Sequence, residues 1–369
     1  MYGHWYQPHL KNGKNKRINN INFHYFLRIR FLGYQSRIWI SNMNMFILGD
    51  CMNYLKSLAI ISVFLLGSCG GGSSTPKEVD PVIQTPAQNT QPSCSISGSN
   101  TFNCDFIYDG LQREFFIYVP TILNDEASVL FSLHGYGSYA SWNMQYTGYR
   151  SLADNNNFLA IFPQGTVHPT KGGTHWNIGA FTSGSSVNDL GFIQYIIDWL
   201  KDTYDFNHDR IYANGMSNGG FMSYHLACYL GHEIAAIASV TGSMSDYTYN
   251  GCSPDHPTAV MQIHGANDAV IPFDGAYGFR SIPESIEFWT QYNNCDPIPE
   301  TFSIQDNNND GYGGGYHEIY SDCQNAVNVE LYLLEDFGHE WPGVDDDISA
   351  ASTIWSFFSK FDQTGKIQD

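Results

Sequence analysis

Short apolar runs, each closed by a glycine, a proline or a histidine, recur along the chain from Cys94 onward. Phe115–Val119 stops at Pro120, Val129–Leu133 at His134-Gly135, and Leu159–Phe162 at Pro163. Ile211–Ala213 leads into Gly215, Ile234–Val240 into Gly242, and Ala259–Ile263 into His264-Gly265; Val329–Leu334 precedes Gly338. Runs this short, with little polar alternation, suit strands covered on both faces. Between them the apolar spacing lengthens to that of a helix. Phe192, Ile193, Tyr195, Ile196, Trp199 and Leu200 share one helical face behind a capping Asn188 or Asp189. Phe221–Ala227 reads as a helix, and Ile354, Trp355, Phe358 and Phe361 give the last helix a similar face. The alternation predicts one α/β domain: a doubly wound, mostly parallel sheet with helices on both faces. Ligands on such sheets bind beyond the carboxyl ends of the strands, which is where the chemically able residues of this chain fall.

The most specific of these strand ends is Gly215-Met216-Ser217-Asn218-Gly219, the one Gly-x-Ser-x-Gly in the chain. It lies between a strand and a helix, the setting of a nucleophile elbow. A serine alcohol needs a base to take its proton, and the base needs a third group to orient it. On such a fold the chain order is serine, acid, histidine. Asp268 leaves the Ala259–Ile263 strand and is the candidate acid, with Asp274 as its rival. His225, His232, His256, His264, His317 and His339 follow the serine; His339, on a glycine-bracketed loop before the last helix, is the candidate base. His264, at a strand end before the acid, reads as structural. The backbone amides of Tyr136, in His134-Gly135-Tyr136-Gly137, and of Asn218 are candidate donors to a developing oxyanion. Such a donor is worth about 3–4 kcal/mol in the transition state. Trp142, Trp176 and Trp341 are candidate substrate contacts, since aromatic walls suit a flat acyl group or a sugar ring.

The first 93 residues follow another logic. Residues 1–51 carry seven of the 17 Lys/Arg and one acid, Asp50. Met52–Lys56 is a short n-region, and Ser57–Leu66 is apolar but too short to span a bilayer comfortably. It ends in Leu66-Gly67-Ser68-Cys69, which resembles a bacterial lipobox whose cysteine becomes the lipidated N-terminus. The expected organisation is a non-native extension (1–51), a lipoprotein signal peptide (52–69), a flexible linker (70–93) and a catalytic domain (94–369). The product is expected to be exported and lipid-anchored, at the outer membrane or cell surface, or secreted. The whole chain has a formal net charge of −19, which argues against nucleic acid and anionic lipid headgroups as partners. Membrane contact is expected only through a lipid at Cys69.

Setting aside Cys51 and Cys69, six cysteines remain, an even number that suits an exported chain. The expected pairing is sequential: Cys94 with Cys104, Cys228 with Cys252, and Cys295 with Cys323. No C-x-x-C spacing favours zinc or thiol–disulfide exchange. Asp306, Asn308, Asp310 and Gly311 match the first half of a calcium loop, but its twelfth position is His317 rather than Glu. No metal or cofactor is expected, and the oligomeric state is open.

Taken jointly, Gly215–Met222, the Leu133-His134-Gly135 turn, His264-Gly265 with Asp268 and Val270-Ile271-Pro272, and Gly338-His339-Glu340-Trp341-Pro342-Gly343 resemble the polyhydroxybutyrate depolymerase/feruloyl esterase family of α/β-hydrolases. The likeness runs from about residue 108 to the C-terminus, and the placement of Cys228, Cys252, Cys295 and Cys323 is similar too. The resemblance implies an α/β-hydrolase fold and ester hydrolysis through an acyl-enzyme, without metal or cofactor. The implied substrates are hydroxyalkanoate oligoesters, or feruloyl or acetyl esters of polysaccharides. Two other readings remain: a peptidase on the same fold, and a non-catalytic glycan-binding lipoprotein on the cell surface. No polymer-binding module follows the catalytic part, which lowers the expectation of attack on solid polyester.

Overall fold

The computed structural model describes residues 88–307 and 314–368, and the backbone of one antiparallel strand pair, Arg28–Phe31 with Tyr34–Arg37. That pair belongs to a separate unit, Met1–Pro81; the domain described below belongs to Val82–Asp369. The signal peptide and lipobox (52–69) and most of the linker (70–87) lie outside the described residues. Among the described residues no helix is long and apolar enough to cross a membrane.

The domain is built on a sheet of eleven described strands: β1 (Ser93–Gly98), β2 (Thr101–Tyr108), β3 (Leu111–Tyr118), β4 (Ser128–Leu133), β5 (Phe158–Pro163), β6 (Ile211–Met216), β7 (Ala236–Val240), β8 (Ala259–Gly265), β9 (Glu300–Ile304), β10 (Gly315–Tyr320) and β11 (Val329–Leu334). Their order is β9-β10-β11-β8-β7-β6-β4-β5-β3-β2-β1. The six central strands, β11 to β5, run parallel. Both flanks are antiparallel.

Side-chain alternation divides the core in two. Val129, Phe131 and Leu133 of β4 point to one face, where they join Phe192, Ile193 and Ile196 of α3 (Asp189–Thr203), Phe221 and Met222 of α4 (Asn218–Tyr229), and Ile286 and Trp289 of α6 (Ile282–Tyr292). Leu130 and Tyr212 point to the other. There they meet Ala140 and Met144 of α1 (Ala140–Tyr146), Tyr149 and Ala153 of α2 (Tyr149–Asn156), and Ile354, Trp355 and Phe358 of α7 (Ala350–Phe358). A central strand buried on both faces needs no polar side, which is why its sequence reads as an unbroken apolar run. The sheet and its covering helices are those of the expected doubly wound α/β-hydrolase fold. A short helix, α5 (Asp246–Gly251), sits near the end of α4.

Local details refine the sequence reading. Asn188 is the cap of α3, accepting from the Gly191 amide at 2.9 Å. Asp189 instead forms a buried ion pair with Arg113 at 2.8 Å. The last helix stops at Phe358, and Phe361 lies in a two-residue strand beyond it. All three disulfides are the sequential ones: Cys94–Cys104, Cys228–Cys252 and Cys295–Cys323.

Candidate active site

Ser217 sits between β6 and α4 with φ 54° and ψ −120°, a conformation a non-glycine residue holds only under constraint, at about 1–3 kcal/mol. Its amide donates to Val240 O at 2.8 Å and its carbonyl accepts from Phe221 at 3.0 Å, so the turn is held from both sides. The flanking glycines have a steric cause. A Cβ on Gly215 would lie 2.6 Å from Gly219 O and 2.7 Å from Leu133 O. A Cβ on Gly219 would lie 2.9 Å from His134 O and overlap the Leu133 carbonyl. Only hydrogens fit where the elbow crosses the end of β4.

Asp268 and His339 meet at the same edge of the sheet. Asp268 lies on the loop after β8, and His339 on the loop after β11, the neighbour of β8. Close backbone approach joins the loops: Asn267 N donates to Phe337 O at 3.0 Å, and a Cβ on Gly265 would come within 2.5 Å of Gly338 O. His339 Nδ1–H donates to Asp268 Oδ2 at 2.8 Å. Asp268 Oδ1 accepts from the amides of Val270 and Ile271, each at 2.8 Å. Burial alone would raise the Asp268 pKa; the His339 hydrogen bond, the two amides and the His339 charge outweigh it, so the carboxyl stays below its usual value. His264 Nε2–H donates to Ile271 O at 2.9 Å, and burial lowers its pKa. It thus shapes the turn that presents Asp268. Asp274 makes no side-chain hydrogen bond to a described residue, whereas Asp268 does bond His339. Neither the Ser217 hydroxyl nor His339 Nε2 has a hydrogen-bond partner among the described residues.

The loop after β4 passes beside the serine: a Cβ on Gly135 would lie 3.5 Å from Ser217 Cβ. The amides of Tyr136 and Asn218 donate to no carbonyl among the described residues. His134 braces this loop. Its Nε2 accepts from Gly165 N at 2.9 Å while Nδ1 lies 2.8 Å from Gly135 O. Burial pushes its pKa down to about 4, so the ring is neutral and Nε2 can accept. Sequence reasoning saw the His134 turn but not this role. It also missed Gln164, which reaches Ala140 N, and Arg113, which ties Gln164 O to Asp189. A lone arginine in a strand and a glutamine after a proline carry no local signal of such a tie.

The three tryptophans separate. Trp176 is a correction to the sequence reading: it is wholly buried, its indole donates to His134 O at 2.9 Å, and it has no surface to offer a substrate. The run from Gly165 to Asn188 has no apolar period because it folds as short strands and turns. Trp142 is 58% exposed, on α1. Trp341 packs edge-on against Tyr146 and Tyr149, 5.9 and 6.2 Å between ring centroids. Tyr146 also touches Trp142 and reaches Met216 Sδ at 3.9 Å. An aromatic row thus joins the His339 loop to Met216, the residue before Ser217. Among the described residues no cluster of three or more His, Cys, Asp or Glu could hold a metal ion; residues 308–313 of the Asn-rich loop lie outside them.

Sheet order, elbow and the Asp268–His339 pair define an α/β-hydrolase. No protein-family model matches the chain. It is 24% identical over 258 residues to the bifunctional acetylxylan esterase/xylanase XynS20E of Neocallimastix patriciarum, covering 70% of this chain and 35% of that protein. It is 30% identical over 194 residues to a probable feruloyl esterase C of Aspergillus flavus, covering 49% of this chain and 67% of that protein. The chain therefore spans about a third of the length of the first relative and two thirds of the second. The solved acetyl xylan esterase from Aspergillus awamori superposes with a TM-score of 0.50 at 15% identity, over 67% of this chain and 94% of that one, a likeness of fold. The chain belongs to the feruloyl esterase-like family of α/β-hydrolases. Its three disulfides suit a protein that folds in an oxidising, extracytoplasmic setting.

Proposed function

We propose that the chain is a serine carboxylesterase that removes feruloyl or acetyl groups from plant polysaccharides through an acyl-enzyme. The observation that carries the reading is the Asp268–His339 hydrogen bond, set on the sheet edge that also holds the constrained Ser217 elbow. Asp268 fixes the His339 tautomer with Nδ1 protonated, which leaves Nε2 as the acceptor. Ser217 gives its proton to Nε2 as Oγ attacks the ester carbonyl. The amides of Tyr136 and Asn218 receive the oxyanion. The sugar alkoxide leaves with the proton from Nε2; water then attacks the acyl-serine by the same route in reverse and releases the acid.

The step needs Ser217 and His339 in contact, and such bonds are often long before substrate binds. The relatives' names, feruloyl and acetylxylan esterase, favour polysaccharide esters over hydroxyalkanoate oligoesters. The test is a panel of methyl ferulate, acetylated xylan, hydroxybutyrate oligomers and p-nitrophenyl acetate, with wild type and Ser217→Ala. Turnover of the esters by wild type and its loss in the variant are expected; an active Ser217→Ala enzyme would falsify the nucleophile. Lipidation at Cys69 is part of the proposal, supported by the apolar run and the Leu66–Cys69 pattern. Detergent-phase partitioning lost in Cys69→Ser would bear it out, and unchanged partitioning would refute it.

A further inference from the structure

Two helical turns beyond Ser217, a cavity of about 370 Å³ opens beside α4. Its wall is about equally polar and apolar: Asn177, Ser183, Ser185, Asn188 and His225 supply polar groups, and Tyr247 an aromatic one. His225 is eight positions after the nucleophile on the same helix, a rise of about 12 Å. It is buried, with Nδ1 taken up by the Thr248 hydroxyl at 2.9 Å. No described residue bonds its Nε2. Burial pushes its pKa down to about 4, so the ring is neutral and offers a group that a hydroxyl can complement in either tautomer. Tyr247 is 62% exposed, yet its place is fixed: a Cβ on Gly179 would come within 2.8 Å of Tyr247 Cβ, and its ring stacks near Tyr229.

The opposite wall is equally fixed. Asn177 Nδ2 reaches Val187 O at 3.0 Å and Ser185 O at 3.4 Å, and Asn177 N donates to the ion-paired Asp189 at 2.8 Å. The same segment is bound at its other end, at Trp176, to the Asn218 side chain beside the nucleophile. An open-edged cavity with a firm hydroxyl and amide lining, a neutral imidazole and one exposed aromatic face matches a polyol ring: polar edges for its hydroxyls and an apolar face for its C–H groups. No charged side chain but Asp189 lines it, and that carboxylate is already matched by Arg113. This disfavours an ionic ligand.

We propose that this cavity is a carbohydrate subsite that holds a pyranose unit of the polysaccharide backbone while a unit further along the same backbone presents its ester to Ser217. The proposal rests on the esterase reading above for its purpose, and its ligand chemistry rests on the cavity alone. The test titrates the full-length protein with unacylated xylotetraose, followed by NMR or calorimetry. It then compares turnover of acetylated xylotetraose and of p-nitrophenyl acetate. Tyr247→Ala removes the aromatic face; Ser183→Tyr, at an exposed position, fills the mouth without touching the core.

Both variants are expected to weaken xylotetraose binding about ten-fold or more and to lower kcat/KM on the acetylated sugar by a similar factor, with p-nitrophenyl acetate turnover within about two-fold of wild type. Wild type that does not bind xylotetraose, or binding that survives both substitutions, overturns the subsite. Absence of all ester turnover in wild type would instead strike the esterase reading, and the titration would still decide the cavity.

Discussion

The carboxamide of Asn218 grips the backbone of Trp176 from both sides: Oδ1 accepts from Trp176 N at 2.7 Å, and Nδ2 donates to Trp176 O at 3.2 Å. Asn218 therefore has two functions at once. Its amide is a candidate oxyanion donor, and its side chain ties the Trp176 segment to the first turn of α4. Trp176 in turn holds His134 O, so the tie runs on to the Tyr136 loop.

Asn218→Ala keeps the backbone amide and removes the tie. It leaves a buried N–H and C=O of Trp176 unpaired, at a cost of about 1–3 kcal/mol each before relaxation. Urea unfolding is expected to report about 2 kcal/mol of lost stability, together with a fall in kcat larger than the change in KM. A stable variant with normal kcat would mean that the segment is held by other contacts.

Asp268→Asn tests the orientation of the base. The asparagine can still accept the Val270 and Ile271 amides, so the loop should fold. Its amide group in place of Oδ2 favours the wrong histidine tautomer, an exchange that costs about four orders of magnitude in kcat in a comparable triad. Asp274→Asn should leave kcat unchanged. If the two variants behaved alike, the carboxylate assignment would fail.

The central strands and the chemistry at their ends were legible because each is a local pattern: an apolar run, then Gly-x-Ser-x-Gly, His264-Gly265 or Gly338-His339. The edges were not. β1 is exposed along its length and β9 nearly so, and they have no buried face to write into the sequence. Trp176 misled for the opposite reason. It lies in a stretch without periodicity, and its burial depends on partners forty residues away in the chain, at His134 and Asn218. The Arg113–Asp189 pair was hidden in the same way, since Asp189 next to Asn188 has the local signature of a cap.

Buried neutral histidines predict the acid limb of stability. His134 and His225 both have folded pKa values of about 4, lowered by burial from about 6.5. Between those values the unfolded chain takes up protons that the folded chain refuses, so stability falls as pH drops from about 6.5 toward 4. At pH 5 each site accounts for about 2 kcal/mol. Asp268 acts in the same direction at lower pH: its folded pKa is depressed, and its contribution is lost as pH falls through that value. Urea midpoints at pH 7 and pH 5 are expected to differ for wild type. His225→Gln should flatten the pH slope even if it lowers stability overall. An equal slope in both proteins would show that His225 is not held neutral.

The aromatic row from Trp142 through Tyr146 to Trp341 predicts acyl selectivity. Trp142 is exposed on α1, so its removal costs little packing, whereas Trp341 is braced by Tyr146 and Tyr149 and its loss would disturb the His339 loop. Trp142→Ala is therefore the cleaner probe. An aromatic acyl group stacked on this ring gains about 0.5–1.5 kcal/mol beyond its buried area, and an acetyl group gains none of that. The variant is expected to raise KM for methyl ferulate by up to about ten-fold while p-nitrophenyl acetate kinetics stay within about two-fold. Equal losses on both esters would place Trp142 in the shared machinery, and no loss on either would mean that the acyl group does not stack on this ring.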